Sequence, residues 1–233
     1  MKMALAVLIV QILHSCEMHC VTGSGHVTVE HRPVTSEFKN VKASNGLDVV
    51  VEQSEKTSIT VEADDNVQKH ISTKIENGVL MISSDCNSYI NATKTITVQL
   101  PAISGIVASS GANLHSKNTL KGEQISVKAS SGADIKIGIE TDKATCETSS
   151  GSHINIVGKA IELETASSSG SDIDAKQLMS NSITASASSG STIDVHPLVS
   201  LNAKASSGAN VNYYNMPKNL QKKSSSGGSI NKE

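Results

Sequence analysis

The chain has 233 residues, a formal net charge of −2 and a single arginine, Arg32. That balance gives nothing to attract nucleic acid or an anionic membrane surface, and nothing to clamp phosphates in a planar, bidentate way. Aromatic residues make up only 2 % of the chain, with no Trp and one Phe. A core filled by aromatic bulk is therefore excluded, and the dominance of Ser, Thr, Ala, Gly, Val and Ile suits thin, regularly stacked β-structure.

The chain begins with a targeting signal. Met1-Lys2-Met3 is a short positive start, and Ala4 to Leu13 is an apolar run broken only by Gln11. The run is too short to span a bilayer but fits the apolar part of a signal peptide over residues 1–15. It ends in Leu13-His14-Ser15-Cys16, which resembles a bacterial lipobox; the departure is His14, where a small residue is commoner. Cys16 is thus the expected lipid attachment point and new N-terminus, followed by a tether over residues 16–25. The anchor is the only expected contact with a membrane. Cys20 and Cys86 could pair in an oxidising envelope. Cys16 and Cys20 are close in sequence, but a zinc site would need a second close pair of ligands, and none follows.

Residues 26–105 read as an irregular first portion of a repeat array, with its cap. Strand-like runs occupy Leu47–Glu52, Ser58–Glu62, Gly78–Ser83 and Thr95–Leu100. Asp64-Asp65-Asn66 and Asp85–Asn91 read as loops, and Pro101 closes the last of these strands. Asn45-Gly46 with Asp48 and Val49 already shows the phase of the repeats that follow.

From residue 106 to 233 the repeat is regular. Ser-Ser-Gly recurs seven times, at Gly111, Gly132, Gly151, Gly170, Gly190, Gly208 and Gly227, with spacings of 21, 19, 19, 20, 18 and 19 residues. Three residues after each glycine stands an aliphatic residue, from Leu114 through Ile173 to Ile230. The residues on either side of it are polar in every copy. This is period-2 alternation, so each glycine opens a strand with one side chain in and the next out. Seven residues before the glycine the column is mostly aliphatic, and three before it is small. Cys146 falls in a small, inward column five before the glycine and reads as a buried structural thiol. The same residue type at the same phase in every copy is what a solenoid requires, because like positions stack about 4.8 Å apart. Stacked serine hydroxyls are expected to form a ladder near the corner. Lysines at the open C-terminal end are expected to limit stacking between molecules.

Together, the Phe38-Lys39-Asn40-Val41 entry, the Gly46-Leu47-Asp48-Val49 turn, Ser58–Ala63 and the Ser-Ser-Gly units resemble the "putative autotransporter adhesin, head GIN domain" family, over roughly residues 26–231. The resemblance implies an all-β, right-handed, single-stranded parallel β-helix with about 19–21 residues per coil. It also implies an exported protein of the cell envelope, and it brings no catalytic residues.

The candidate ligand face is the outward polar surface beside the glycines, with Asp134, His153, Asp172, Asp174 and Asp194. Asp172, Asp174 and Asp194 are expected on adjacent coils, and Asp134 two coils below Asp172. Paired carboxylates can serve a glycosidase or hold Ca²⁺, but Asp and Asn also suit strand entry after a glycine turn. Gly132-Ala133-Asp134-Ile135 looks like part of a calcium-binding nonapeptide, yet its unit recurs every 19 or so residues rather than every nine. His115, His153 and His196 project outward at different heights and read as surface residues. No catalytic, metal or cofactor residue is assigned. The expected function is an outer-membrane lipoprotein, binding or structural and adhesin-like, with a glycan or an envelope or surface protein as partner and no nucleic acid. The alternative is a carbohydrate-active enzyme using the surface aspartates. Aromatic sugar platforms would favour it, but the sequence offers few, and Tyr213-Tyr214 are the only adjacent aromatics.

Overall fold

A computed structural model describes residues 20–86 and 88–233, so the predicted signal segment and Cys16 lie outside the described residues. In chain order, the strands ahead of the regular repeats are β1 (Cys20–Thr22), β2 (Val27–Arg32), β3 (Asn40–Ala43), β4 (Asp48–Gln53) and β5 (Ser58–Asp64). A one-turn helix follows, α1 (Asp65–Gln68), then β6 (Ile71–Glu76), β7 (Val79–Ser84), β8 (Ser88–Ile90), β9 (Lys94–Leu100) and β10 (Gly105–Ala108). The repeats form β11 (Asn113–Ala129), β12 (Asp134–Thr148), β13 (His153–Ser167), β14 (Asp172–Ala187) and β15 (Thr192–Ala205). The last coils are β16 (Asn210–Tyr213), β17 (Asn219–Ser224) and β18 (Ser229–Lys232).

From β10 to β18 each strand stacks in parallel on its equivalent in the next coil. The result is a parallel β-solenoid of about seven turns. Each full coil is one long strand that bends, interrupted only at Ser-Ser-Gly. The second serine and the glycine both have positive φ, as at Ser110 (51°) and Gly111 (72°). Ala112 N–H donates to the Ser109 carbonyl across them at 3.1 Å. That combination is a type I′ turn. Glycine meets the requirement without strain, whereas serine tolerates it less well than asparagine. Asparagine does hold the equivalent place upstream, at Asn45 (φ 61°) before Gly46.

The corners are tied together by main chain. The glycine N–H of one coil donates to the carbonyl of the second serine in the next, from Gly46→Ser110 through Gly151→Ser169 to Gly208→Ser226, at 3.0–3.2 Å. The expected hydroxyl ladder sits elsewhere. Buried hydroxyls just before and just after the turn form it: Ser171 Oγ donates to Thr148 Oγ1 (3.0 Å), and Thr148 Oγ1 to Ser167 Oγ (2.8 Å). The second serine of each turn, the one with positive φ, is exposed in every copy, while the first is part-buried except on the open end.

The aliphatic column after the glycine is fully buried from Leu114 to Val211 and half-buried at Ile230 on the open end. Each buried member contributes roughly 1.5–3 kcal/mol. Cys146 is buried, and burial pushes its thiol up to about 12. The spacing differences between repeats are absorbed as register shifts, for example between Ala175 and Met179 where β14 meets β15.

The N-terminal layers are less regular. β3 and β4 stack beneath β10 and β11, and β7 and β9 stack beneath them in turn. This end is then closed by antiparallel strands: β6 against β7, and β5 between β9 and β2. Asp65–Gln68, partly within a stretch expected to be loop, is the helix α1, and Ser88–Ile90 within the second expected loop pairs in parallel with β1. The antiparallel strands cover the edges of β7 and β9, which leaves β6 and the exposed β2 as the outermost strands at this end. At the opposite end β17 and β18 are mostly exposed, and Lys222 Nζ stacks 4.6 Å from the buried Tyr213 ring.

Candidate functional site

Alternation after each glycine sends two residues per coil outward, on either side of the buried aliphatic residue. Stacking turns them into two columns. The first runs Thr95, Asp48, Asn113, Asp134, His153, Asp172, Thr192, Asn210, Ser229. The second runs Thr97, Val50, His115, Lys136, Asn155, Asp174, Asp194, Asn212, Asn231. All five candidate residues lie on this ladder. Asp134, His153 and Asp172 are successive members of the first column. Asp174 and Asp194 are directly paired in the second. Asp172 faces Thr192 rather than Asp194.

Three of the four aspartates are engaged, and Asp172 is exposed. Asp174 Oδ2 lies 2.8 Å from Lys176 Nζ and accepts from Asn155 Nδ2 at 3.3 Å, while its Oδ1 accepts the Lys176 N–H at 3.2 Å. The Asp174 carboxylate in turn holds the Lys176 ammonium above its usual range. Asp194 Oδ1 accepts from Asn212 Nδ2 at 2.8 Å. Burial nevertheless raises the Asp194 carboxyl above the usual range, and Asp174 and Asp172 nearby push the same way against the bond from Asn212. Asp134 pairs with Lys136 at 3.3 Å. Lower on the ladder, Asp48 is held by Lys94 (2.5 Å) and Asn113 (2.8 Å). The face is thus a repetitive array of amide, carboxylate, imidazole and hydroxyl groups, with Lys136 and Val50 among them.

The histidines do not converge. His115 and His153 stand in different columns, and His196 pairs in register with Met179 and bonds the Lys176 carbonyl. Tyr213 is buried and packs inside the last coil, so it supplies no sugar platform; only Tyr214 is exposed. On the other side of the corner, a shallow groove of about 520 Å³ is lined by Ser130, Ser149, Ser168, Ser188 and the flanking Lys128 and Glu147. Ala166 and Ser186 are small where the neighbouring coils carry Glu147 and Lys204.

One cluster escapes a reading by repeats. His70, Asp85 and Cys86 each bring one donor atom within 4.8 Å of the others. The signal that finds it is Asn77-Gly78, a two-residue turn with φ of 51° and 75°. Such a turn makes β6 and β7 a tight hairpin. His70 and Asp85, equidistant from the turn, flank the final pair Ile71↔Ser84 and therefore meet.

The model of the family described as "Putative auto-transporter adhesin, head GIN domain" matches residues 37–217. No curated protein sequence matches this one. Among solved structures, a "putative adhesin" from Bacteroides fragilis NCTC 9343 superposes with a TM-score of 0.84 at 19 % identity, covering 91 % of this chain and 100 % of that one. A "putative adhesin" from Parabacteroides merdae ATCC 43184 gives 0.72 at 20 % identity, covering 92 % and 99 %. A "putative lipid binding protein" from Parabacteroides distasonis ATCC 8503 gives 0.72 at 17 % identity, again covering 92 % and 99 %. At such identities the likeness speaks for the fold.

Proposed function

Since the chain belongs to the auto-transporter adhesin head GIN family, we propose that it is an exported, lipid-anchored, adhesin-like protein. Its outward ladder binds a repetitive glycan or an envelope or surface protein and catalyses no reaction. The single observation that carries this reading is the ladder itself. Two columns, polar at every position but Val50, run in register over nine strands, with donors and acceptors repeating about every 4.8 Å. Such a face makes many similar weak contacts, and a repetitive or multivalent partner adds them up. Membrane attachment rests on Cys16 and the motif before it.

The alternative, a carbohydrate-active enzyme using Asp172, Asp174 and Asp194, finds less support. Asp174 is neutralised by Lys176, Asp194 is bonded to Asn212, and the two are side-by-side partners on neighbouring strands rather than groups facing each other across a cleft. Catalytic carboxyl pairs flank a bond with one group free to donate or accept a proton.

A glycan array probed with the purified chain, in parallel with a depolymerisation assay, tests the reading. Binding without cleavage, weakened in Asp172→Asn with Asp174→Asn, is expected. Cleavage lost in that double variant overturns it. Incorporation of a labelled fatty acid, abolished by Cys16→Ser, is the matching test of the anchor.

A further inference from the structure

We propose that His70, Asp85 and Cys86 form a three-ligand site for a divalent transition-metal ion of the zinc type, with its fourth position open to solvent. The site lies at the base of the β6–β7 hairpin, in the irregular N-terminal layers and away from the ladder.

The geometry comes first. His70 Nδ1 lies 2.8 Å from Asp85 Oδ1, and Cys86 Sγ lies 3.6 Å from the same oxygen. In a tetrahedral site with metal–N and metal–O distances of about 2.0–2.1 Å and metal–S of about 2.3 Å, neighbouring donor atoms stand about 3.3–3.6 Å apart. The sulfur–oxygen edge already has that length. The nitrogen–oxygen edge needs to open by about half an ångström, which a rotation of the Asp85 side chain supplies.

The donor set comes second. One imidazole, one carboxylate and one sulfur are the mixture that suits zinc and its neighbours rather than Ca²⁺ or Mg²⁺, which take oxygen alone. An ordinary surface His–Asp pair has no need of a buried sulfur beside it. Here Cys86 is only 2 % exposed, while the Asp85 side chain is 73 % exposed. The sulfur forms the protein-side wall and the carboxylate the solvent-side gate, which leaves an entry path and an open coordination position.

The supporting frame comes third. The two strands of a tight hairpin set His70 opposite Asp85, and the Asp85 N–H reaches back to the His70 carbonyl at 3.4 Å. His70 is fixed from the other side by its own N–H on the Val67 carbonyl at the end of α1. Ser84 Oγ accepts the Cys86 N–H at 3.0 Å and is also bonded by the Tyr89 hydroxyl, so the backbone that carries the sulfur is held as well. Ligands on rigid, cross-bonded main chain lose little freedom on binding a metal.

The experiment is a cobalt(II) titration of the full purified chain, with zinc as competitor. Expected are one ion per chain, a sulfur-to-cobalt charge-transfer band, and its loss on adding zinc. Cys86→Ser should abolish the band, and His70→Ala should weaken affinity at least about tenfold. Both variants should keep the wild-type circular dichroism, since the solenoid does not depend on them. Asp194→Asn, on the ladder, should bind cobalt as the wild type does. No band in the folded chain overturns the proposal, as does binding that survives in both ligand variants. Finding Cys86 joined to Cys20 by a disulfide in the unreduced chain, read from its mass and peptide map, overturns it too.

Discussion

Asp174 and Asp194 are direct partners on neighbouring coils, two like charges facing each other across β14 and β15. Only Asp174 has a cation, Lys176, at 2.8 Å. Asp194 is left with one amide bond and a part-buried position, and its carboxyl is raised above the usual range chiefly by burial. A raised carboxyl favours the protonated form in the folded state. Its stabilising contribution is present below the unfolded carboxylate value of about 3.9 and is lost as pH rises through the folded value. At neutral pH the ionised Asp194 therefore opposes folding. Asp194→Asn is expected to raise the melting temperature at pH 7, by no more than about 2 °C in a chain of this size. The difference should shrink toward zero near pH 3, as followed by circular dichroism.

Ile173 sits in the middle of the buried column, between Ile154 and Ile193. Ile173→Asp loses roughly 1.5–3 kcal/mol of apolar burial and adds a carboxylate with no partner. The coil should open, and with it the parallel pairing on both sides. A thermal melt matching the wild type would show that the side chain does not face inward.

The turn chemistry separates two kinds of substitution. Ser131 (φ 52°) occupies the first central position of a type I′ turn closed by the Ala133 N–H on the Ser130 carbonyl. Ser131→Asn should be neutral or slightly stabilising, while a β-branched Val there should cost about 1–3 kcal/mol. Denaturant midpoints read the difference.

Gly158 is a sharper case away from any turn. Its φ is 120°, and an added Cβ would lie 2.0 Å from the Ile139 carbonyl oxygen of the coil below. Gly158→Ala should destabilise by more than the about 1 kcal/mol of an ordinary glycine replacement, because main chain must move as well. Equilibrium unfolding of the single variant measures it.

Cys146 is wholly buried, with its thiol pushed up to about 12. At pH 8 it should resist alkylation in the folded chain and react once the chain is unfolded in denaturant. Mass spectrometry of the corresponding peptide, with and without denaturant, gives the answer. Labelling at the rate of an exposed thiol would mean the coil opens readily at this position.

The regular half of the molecule was legible from residues alone. A phase repeated seven times leaves little freedom, because only stacking puts Leu114, Ile135 and Ile154 into one column while leaving Asn113, Asp134 and His153 in another. The same logic placed Asp134 two coils from Asp172. The turn serines were misread, since a hydroxyl ladder was expected where the main chain does the bonding. The pattern records that serines are aligned; it does not record that the second of each pair takes a positive φ and is exposed.

The N-terminal layers resisted the same treatment. There the pairing partners are out of chain order, with β7 and β9 beneath β3 and β4, and several are antiparallel. Strand positions were visible as runs of β-branched residues, but nothing local says which run lies under which. His70 and Asp85 meet only because a two-residue turn folds β6 onto β7, and Cys86 joins them through the bend that follows.

By itself, then, the sequence determined the period, the corner and the inward and outward columns, because short-range alternation and a constant repeat length are local properties. Only the tertiary structure decided which outward groups touch. Asp174 faces Asp194 and not Thr192, and Asp172 faces Thr192, because strand register is settled by pairing along the whole coil. It also decided how the first coil is closed and where imidazole, carboxylate and sulfur converge, since those contacts join segments whose spacing carries no period.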